Sequence, residues 1–411
     1  MFALYKLFGW LLWLACLPVA GLAALLGNTK WRDRLGFVHA APADIWLHAS
    51  SVGEVRVIAN LINWLLEHRP NLCLHITTMT ETGQAEALRM FGDRATVSYI
   101  PGDTPPAVKI AMGRITPREM VIAETEIWPV LIDRLARKRI PVVLVNGRMT
   151  DRTLKKYLRA RKSLARILGR YDRFFFKTKG DADRYAELGL PEGRWEISGD
   201  LKFDTPLPER DPQLRTTWRR KLSIPEEAFL LVAGSTRDGE EVQLLEMYGS
   251  LKNDHPQLRL IIAPRHVERG EMLRRLTAEA GFRVHLLDTA ADGDEVIIVD
   301  KMGLLNDLYQ VADLAFVGGT LSDIGGHNLL EPVWAGTPVI YGPSLHNVRE
   351  AARYIENNRY GMRVNTSEEL AETVKSVIMG TLSFRIKTSA DLAESPTSRA
   401  GEYILGRLKD A

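Results

Sequence analysis

Several carboxylates stand just after predicted strands, where an α/β sheet builds its binding sites. Glu54 ends the segment HASSVGE (residues 48–54), in the first turn of a predicted helix, and can accept a proton from a substrate hydroxyl. Ser51 and Glu54 also have the spacing of a capping box, so a structural role is the competing interpretation. Glu124 and Glu126 follow another strand. If Glu124 faces Glu54, charge repulsion raises a pKa and makes a better base; otherwise both acids simply favour a helix start.

Two further segments contain residue types that bind phosphate and ribose. Arg265, in PRHVER (264–269), follows a predicted strand, and its permanently charged, planar guanidinium can grip a phosphate or a carboxylate. Residues 316–332 (FVGGTLSDIGGHNLLEP) run from a strand through a glycine-rich loop into a helix predicted to begin near Asn328. Amides at that helix start can hold phosphate, and Glu331 can accept hydrogen bonds from ribose. The loop is neither a Walker loop nor G-x-G-x-x-G, which weakens ATPase and dehydrogenase interpretations.

Parallel β-sheets are the elements that must position these segments. After an apolar N-terminal stretch, β-rich runs alternate with helical ones, which is typical of sheets flanked by helices. The proline-rich residues 204–225 interrupt the alternation and are the predicted linker. We therefore expect an α/β chain with two Rossmann-like domains facing a cleft, over residues 31–203 and 226–411. The last helix is a candidate for crossing back to the first domain.

The N-terminus contains an uncharged run long enough to cross a membrane. Residues 7–26 carry no charge, and as a helix they extend about 30 Å, the thickness of the hydrocarbon core. Lys6 precedes the run and three basic residues lie within 30–34, so the positive-inside rule places the rest of the chain in the cytoplasm. We predict a retained membrane anchor over residues 1–30. A cleaved signal peptide and a helix lying in the membrane interface are the alternatives.

The local distribution of charge is more informative than the net charge of +3. Residues 147–179 contain twelve Lys or Arg and only two Asp, which predicts an amphipathic helix with a basic face. That face is either simply solvated or in contact with anionic lipid headgroups or a phosphorylated acceptor. The predicted anchor and the lack of stacking aromatics along the stretch argue against nucleic acid. The sequence has no His and carboxylate cluster with metal-ligand spacing, and Cys16 and Cys73 form no metal or redox motif.

Taken together, these segments match a known family. The sequence resembles the 3-deoxy-D-manno-octulosonic acid (Kdo) transferases of lipopolysaccharide biosynthesis over nearly the whole chain. The order of features is an N-terminal anchor, HASxGE, ETExWP, GxLKFD at residues 199–204, PRH and GGHNxLE. The resemblance implies a GT-B glycosyltransferase fold and an inverting, metal-independent transfer of Kdo from CMP-Kdo to the lipid A precursor lipid IVA. It also implies that the catalytic domains lie at the cytoplasmic face of a bacterial inner membrane.

The resemblance also suggests roles for individual residues. Glu54 resembles the catalytic base, and Glu124 and Lys202 resemble the residues that stabilise the transition state. The positions that correspond to nucleotide contacts are Pro264, Arg265, Met302, Gly303, Leu304, Asn328, Leu329, Leu330 and Glu331. Leu304 departs from the family's M-G-E pattern, so the hydrogen bond of the usual acid is absent or comes from a neighbour. CMP-Kdo is a co-substrate, and no cofactor or metal is implied.

Two other functions remain open at this point. One is a different GT-B protein that uses another nucleotide sugar, such as another transferase or an epimerase, and it would need a different base. The other is a membrane-tethered binding protein that keeps the fold but has weakened or lost activity. The presence of Glu54, Glu124, Lys202 and Arg265 together argues against the second, whereas Leu304 favours it slightly.

Overall fold

The structure, a computed structural model, describes residues 2–39, 41–204, 212–291, 293–388, 391 and 393–409. The chain divides into two compact units. The first comprises Met1–Thr205 together with Leu392–Ala411, and the second comprises Pro206–Asp391.

A seven-stranded parallel sheet forms the centre of the first unit. Its strands are β1 (Ile45–His48), β2 (Leu74–Thr78), β3 (Ala95–Tyr99), β4 (Glu119–Ala123), β5 (Val142–Gly147), β6 (Arg173–Phe176) and β7 (Trp195–Ile197). They are hydrogen-bonded in the order β3-β2-β1-β4-β5-β6-β7, and every pair is parallel. The strand order reverses between β1 and β4, and in such sheets ligands bind outside the carboxyl ends of the strands at this point.

Helices cover both faces of this sheet. In chain order they are α1 (Phe2–Leu25), α2 (Thr29–Arg34), α3 (Val52–His68), α4 (Glu81–Phe91), α5 (Pro105–Ile115), α6 (Pro129–Arg137), α7 (Asp151–Leu158), α8 (Arg161–Leu168) and α9 (Lys179–Glu187). A short 3-10 helix follows at Leu201–Phe203. Successive β4 side chains alternate between two apolar clusters, with Met120 and Ile122 packed on the α5 and α6 side and Val121 packed on the α3 side. This alternation explains why the central strands read as continuous apolar runs.

The second unit repeats the plan with another seven-stranded parallel sheet. Its strands are β8 (Phe229–Thr236), β9 (Leu258–Pro264), β10 (Val284–Leu286), β11 (Val296–Ile298), β12 (Leu314–Val317), β13 (Val339–Tyr341) and β14 (Gly361–Arg363), in the order β10-β11-β9-β8-β12-β13-β14. Its helices are α10 (Pro212–Lys221), α11 (Glu240–Leu251), α12 (Gly270–Glu279), α13 (Leu305–Val311), α14 (Leu330–Trp334), α15 (Arg349–Asn358) and α16 (Ser367–Ile378). Short 3-10 helices lie at Val267–Arg269 and Leu287–Thr289.

The predicted α/β class is confirmed, and the two Rossmann-like domains are those of a GT-B fold. Within the predicted linker 204–225, residues 205–211 lie outside the described residues, and helix α10 of the second unit follows them. The last helix, α17 (Pro396–Lys409), belongs to the first unit, where Ala400 and Ile404 join the apolar cluster on the α3 side of the sheet. The apolar N-terminal run forms α1.

Glu119, the first residue of β4, gives a testable pH dependence of folding. Its side chain is fully buried, and neither carboxyl oxygen has a hydrogen-bond partner among the described residues. Burial raises the pKa of Glu119 from 4.5 to about 8, with a smaller opposing effect of Arg407. Because the folded state holds this proton more tightly, stability falls as pH rises between those values, by about 1.4 kcal/mol per pH unit.

We therefore expect Glu119→Gln to remove most of this loss. Relative to the variant, the wild type should lose stability between weakly acidic and weakly alkaline pH, as measured by urea denaturation at both. Glu67→Gln, at an exposed position near the end of α3, is the matched control and should leave the pH dependence unchanged. If the wild type and Glu119→Gln differed in stability by the same amount at both pH values, the assignment would be wrong.

Candidate functional site

Glu54 is held at the start of α3 by its own helix cap. Ser51 Oγ accepts the Glu54 N–H at 3.4 Å and donates to Glu54 Oε1 at 3.2 Å. Ser51 is thus the N-cap that the spacing predicts, but the reciprocal bond differs from that of a capping box: Glu54 Oε2 accepts the N–H of Ser50, one residue before the cap, at 2.9 Å. Burial raises the pKa of Glu54 to about 7, the hydrogen bond from Ser50 opposes it, and the charges of Glu124 and Glu126 raise it further. A carboxylate with such a pKa can exchange a proton near neutral pH.

Behind Glu54, a buried histidine holds Ser50 in place. His48 Nδ1 lies 3.0 Å from the Thr77 carbonyl oxygen, and its Nε2 lies 3.3 Å from Ser50 Oγ. Complete burial lowers the pKa of His48 to about 3, so the ring is neutral. Trp128 packs edge-on against it at a centroid distance of 5.4 Å. His48 therefore positions the turn and supplies no charge at neutral pH.

Glu124 lies directly after β4 in a strained backbone conformation. Its φ of +58° is in the left-handed region, which is costly for a residue with a Cβ and is often retained at functional sites. Its N–H donates to the Val145 carbonyl oxygen at 2.9 Å, and Arg148 Nε bonds its Oε2 at 2.7 Å. Burial raises the pKa of Glu124, and the positive charges of Arg148 and Lys177 oppose that rise. The negative charge of Glu124 raises the pKa of Glu54, in the direction expected if the two carboxylates face each other, but by less than burial does.

Lys202 follows β7 in the 3-10 helix, next to a second lysine. Asp200 Oδ1 accepts the Lys202 N–H at 3.2 Å. Asp200 Oδ2 pairs with Lys177 Nζ at 2.8 Å and with Lys202 Nζ at 3.3 Å. Asn146, also at a positive φ of 54°, accepts the Leu201 N–H at 3.0 Å and fixes the segment from the end of β5. One buried carboxylate thus holds two ammonium groups at the edge where Glu124 lies.

Arg148, Lys177 and Asp200 are members of this site that sequence reasoning did not select. Each lies shortly after a strand, β5, β6 or β7, and this position was a usable signal. Asp200 also belongs to the GxLKFD segment. Lys177 and Asp200 both affect the pKa of Glu124, so these charges act on one another. The first unit therefore gathers Glu54, Glu124 and Lys202 at the carboxyl edge of its sheet.

In the second unit, a buried carboxylate holds the glycine-rich loop. Glu240, the first residue of α11, is fully buried and accepts five backbone N–H groups. The donors are Arg237 at 2.8 Å, Gly319 at 2.7 Å, Thr320 at 3.0 Å, Leu321 at 2.9 Å and Ser322 at 3.2 Å. The amides at the start of this loop are therefore engaged internally. Sequence reasoning did not identify Glu240.

The predicted helix after this loop begins two residues later than expected. Helix α14 starts at Leu330 and has five residues. Asn328 Oδ1 accepts the Leu330 N–H at 3.2 Å, and Asn328 Nδ2 donates to Glu331 Oε1 at 3.2 Å. Leu329 occupies the N-cap position and is buried with Leu330. A helix this short contributes little dipole, so ligand binding here must depend mainly on side chains and individual amides.

Arg237 joins the two segments predicted to bind phosphate. Its Nε donates to His327 Nε2 at 3.0 Å, and its Nη1 lies 2.9 Å from His266 Nε2. Burial lowers the pKa of His327, and the positive charges of Arg237 and Arg265 lower it further. Arg265 follows Pro264 at the end of β9, and its N–H donates to the Thr236 carbonyl oxygen at 3.0 Å. The ends of β8, β9 and β12 thus present a cationic cluster suited to a phosphate.

The remaining predicted nucleotide contacts lie between β11 and α13. Met302 is exposed, and Gly303 has a φ of +85°, which favours glycine. Leu304 is the N-cap of α13 and makes no side-chain capping bond. Over the described ranges, no hydrogen bond joins this segment to the cluster around Arg237, but α13 packs against β8, which ends just before Arg237, and against α14, which contains Leu330 and Glu331.

Comparison with known proteins identifies similar sequences. A family model described as 3-deoxy-D-manno-octulosonic-acid transferase (kdotransferase) matches residues 29–205. The 3-deoxy-D-manno-octulosonic acid transferase of Haemophilus influenzae is 31% identical over 358 residues, which covers 84% of this chain and 82% of that protein. The enzyme of the same name from Bordetella pertussis is 31% identical over 369 residues, covering 82% and 84%. A Fusobacterium nucleatum bifunctional glycosyltransferase/methyltransferase is 34% identical over 81% of this chain, which spans about half (52%) of that protein's length.

Solved structures resemble the chain more distantly. The C-terminal CMP-Kdo binding domain of WaaA from Acinetobacter baumannii has a TM-score of 0.39 and 21% identity, covering 47% of this chain and 96% of that one. UDP-GlcNAc 2-epimerase from Neisseria meningitidis has a TM-score of 0.49 and 12% identity, covering 89% and 100%.

Proposed function

Because the chain belongs to the 3-deoxy-D-manno-octulosonic acid (Kdo) transferase family, and is thus a glycosyltransferase, we propose that it transfers Kdo from CMP-Kdo to lipid IVA with inversion at the anomeric carbon. The observation that carries the proposal is Glu54, a carboxyl group with a pKa of about 7 that lies within electrostatic reach of Glu124. We assign Glu54 as the general base for the acceptor hydroxyl.

In the proposed reaction, an acceptor hydroxyl oxygen attacks the anomeric carbon of Kdo from the face opposite the phosphate. The carbon–oxygen bond to the phosphate breaks, and CMP leaves with the electron pair. Glu54 takes the hydroxyl proton, which completes the glycosidic bond. The sugar becomes positively charged as the bond breaks, and the leaving group becomes negative. We propose that Glu124 stabilises the positive charge and that Lys202, beside Lys177, stabilises the negative one.

We propose that the second unit binds the cytidine nucleotide. The cluster of Arg237, His266 and His327 beside Arg265 supports binding of the phosphate, and we propose that Glu331 accepts hydrogen bonds from ribose hydroxyls. The full set of proposed contacts is Pro264, Arg265, Met302, Gly303, Leu304, Asn328, Leu329, Leu330 and Glu331. Cationic side chains can supply the charge stabilisation that a metal would otherwise give, so the proposed transfer uses no metal or other cofactor.

We propose that the protein acts at the cytoplasmic face of a bacterial inner membrane, where a lipid acceptor is found. Helix α1 supports a membrane location because it is 24 residues long and predominantly apolar. By length and composition it can reach across a bilayer, and a signal sequence can share both properties. No nucleic acid is among the proposed partners.

The proposal is tested by incubating the full chain with freshly generated CMP-Kdo and lipid IVA in detergent. We expect release of CMP and a lipid product heavier by one or more Kdo residues in mass spectrometry. NMR should show an anomeric configuration opposite to that of the donor, and EDTA should not reduce the rate. UDP-N-acetylglucosamine is the matched control donor and should give no product.

Different failures of this assay have different meanings. If UDP-N-acetylglucosamine gave a product and CMP-Kdo gave none, the proposed donor would be wrong and the chain would be a different GT-B enzyme. Binding of CMP-Kdo by the folded chain without any transfer would overturn the enzymatic function and support a binding protein.

A further inference from the structure

Helix α1 has two faces that differ in what they contact. We propose that α1 lies in the plane of the membrane, along the surface of the first unit, with its outer face immersed in a leaflet that contains anionic lipids. The helix then anchors the protein without crossing the bilayer. This inference does not depend on the proposed reaction, because it concerns only how the first unit meets the membrane.

One face of α1 packs on the first unit near the N-terminal end of the helix. Tyr5 Oη donates to Asp103 Oδ2 at 3.0 Å, and Lys6 Nζ forms an ion pair with Asp133. Asp103 also caps α6 by accepting the N–H groups of Val130 and Leu131. The Asp133 side chain is almost fully buried and also pairs with Arg170 and Arg137 of the first unit. These contacts hold the N-terminal end of α1 against the α5–α6 region.

The same face continues along the rest of the helix. Gly9 is buried, and a Cβ at that position would lie 3.2 Å from the Pro105 ring, a tight contact that the ring would have to shift slightly to relieve. Trp13 Nε1 donates to the Leu35 carbonyl oxygen at 3.3 Å, and Ala20 is buried. At 3.6 residues per turn, Phe2, Gly9, Trp13 and Ala20 fall on one side of the helix.

The opposite side of α1 is apolar and exposed over the full length of the helix. Its large exposed side chains are Leu4, Leu7, Phe8, Leu11, Leu14, Val19, Leu22 and Leu25. An exposed apolar face of this length on a soluble surface marks an interaction site, and its occupant must be apolar. The helix is about 36 Å long, at 1.5 Å per residue. The hydrocarbon edge of a lipid leaflet can cover an apolar face of that length.

A crossing helix does not fit these contacts. If α1 spanned the bilayer, its first residues would lie about 30 Å from those at its other end along the membrane normal. Tyr5 and Lys6 would then take Asp103 and Asp133 into or across the hydrocarbon core, together with Arg137 and Arg170. Burying such charges in lipid costs several kcal/mol per group. With α1 in the plane, all four stay on the cytoplasmic side.

A basic surface on the same unit supports contact with anionic headgroups. Helices α7 and α8 and the turn between them expose Arg152, Lys155, Lys156, Arg159, Arg161, Lys162 and Arg166. The end of α8 is held close to the start of α1, since Arg170 follows α8 and bonds the same Asp133 carboxylate as Lys6. An apolar helix face joined to a cluster of Lys and Arg is the combination that binds membrane interfaces.

The topology test uses a single reporter cysteine near the start of α1. In a Cys16→Ser/Cys73→Ser background, Ala3→Cys should react with a membrane-impermeant maleimide in inverted inner-membrane vesicles and stay unreacted in intact spheroplasts. The Cys16→Ser chain that retains Cys73, which is exposed on the body of the first unit, is the control for the cytoplasmic side. Labelling of Ala3→Cys in spheroplasts would overturn the proposal. Cleavage of the N-terminal segment, including residue 3, from the membrane-bound chain would also overturn it.

A binding test examines the exposed face itself. Leu11→Asp should reduce partition of the full chain onto vesicles of phosphatidylethanolamine with about one third phosphatidylglycerol by about tenfold or more. Leu88→Asp is the matched control, because Leu88 is a similarly exposed leucine on α4 and should have no effect. Equal partition of Leu11→Asp and Leu88→Asp would overturn the proposal. Both tests read location and binding, so they stand whether or not the proposed transfer reaction is found.

Discussion

Glu54→Gln is expected to lower the turnover number by about 10² to 10⁴-fold while leaving CMP-Kdo binding intact. Glutamine has nearly the same shape, and its carbonyl oxygen can still accept the Ser50 N–H that now bonds Glu54 at 2.9 Å. It cannot take a proton from the acceptor hydroxyl. The loss should therefore appear in the chemical step, as measured by steady-state transfer to lipid IVA together with calorimetric titration of the donor.

The pH dependence of the wild type identifies the same group. Glu54 must be ionised to act as a base, and burial raises its pKa to about 7. Turnover should thus be low in weakly acidic solution, rise as pH passes through about 7 and then level off. Ser51→Ala removes a hydrogen bond that stabilises the ionised form, so its midpoint should move to higher pH.

Two results would reject this assignment. One is a Glu54→Gln variant that retains most of its turnover. The other is a Ser51→Ala variant whose pH midpoint is unchanged although the chain is folded. Because Glu67→Gln alters an exposed glutamate at the far end of the same helix, it should match the wild type in both rate and pH profile.

The sequence predicted the central strands of both sheets better than the edge strands. The inner strands β4, β5 and β9 are buried on both faces and form continuous apolar runs. Apolar runs in the sequence predict eleven of the fourteen described strands, and the three that they miss, β3, β10 and β14, each lie at a sheet edge; the remaining edge strand, β7, is predicted. Edge strands are short and partly exposed, so their residues lack an apolar run that would identify them.

Part of the predicted linker is helical despite its proline content. The proline content predicts a break in helical structure throughout residues 204–225, yet Pro212 begins α10. The first position of a helix tolerates proline, because its missing N–H would have no partner inside the helix. Two arginines of α10, Arg215 and Arg219, then pair with Asp313 at 2.9 and 3.1 Å. Such long-range pairs have no local sequence signal.

The candidate site shows the same division between local and distant information. Glu54 and Glu124 could be found because each follows a strand within a few residues. Glu240 looked like an ordinary acid in the first turn of a helix, since four of its five amide donors lie about eighty residues away in the chain. These donors cannot be recognised from the sequence because only the pairing of β8 with β12 brings the segment after β8 next to the glycine-rich loop after β12.

Glu240→Ala is expected to cause the largest change in the second unit. The variant would leave the amides of residues 319–322 buried without their acceptor, and each such group costs about 1 to 3 kcal/mol. We expect a loss of stability of at least about 3 kcal/mol and a loss of CMP binding, because the loop precedes His327 and Asn328. Thermal unfolding and titration with CMP measure the two effects.

Matched variants separate the role of the carboxylate from that of the helix. Glu246→Ala changes an exposed glutamate of the same helix, α11, and should leave both stability and CMP binding near wild type. Glu240→Gln keeps the side-chain size but turns an NH₂ group toward backbone donors, so it should resemble Glu240→Ala. If a folded Glu240→Ala chain instead bound CMP more tightly, the amides released from Glu240 would be phosphate ligands. The glycine-rich loop would then compete with Glu240 for the nucleotide, and the carboxylate would oppose binding rather than shape the site.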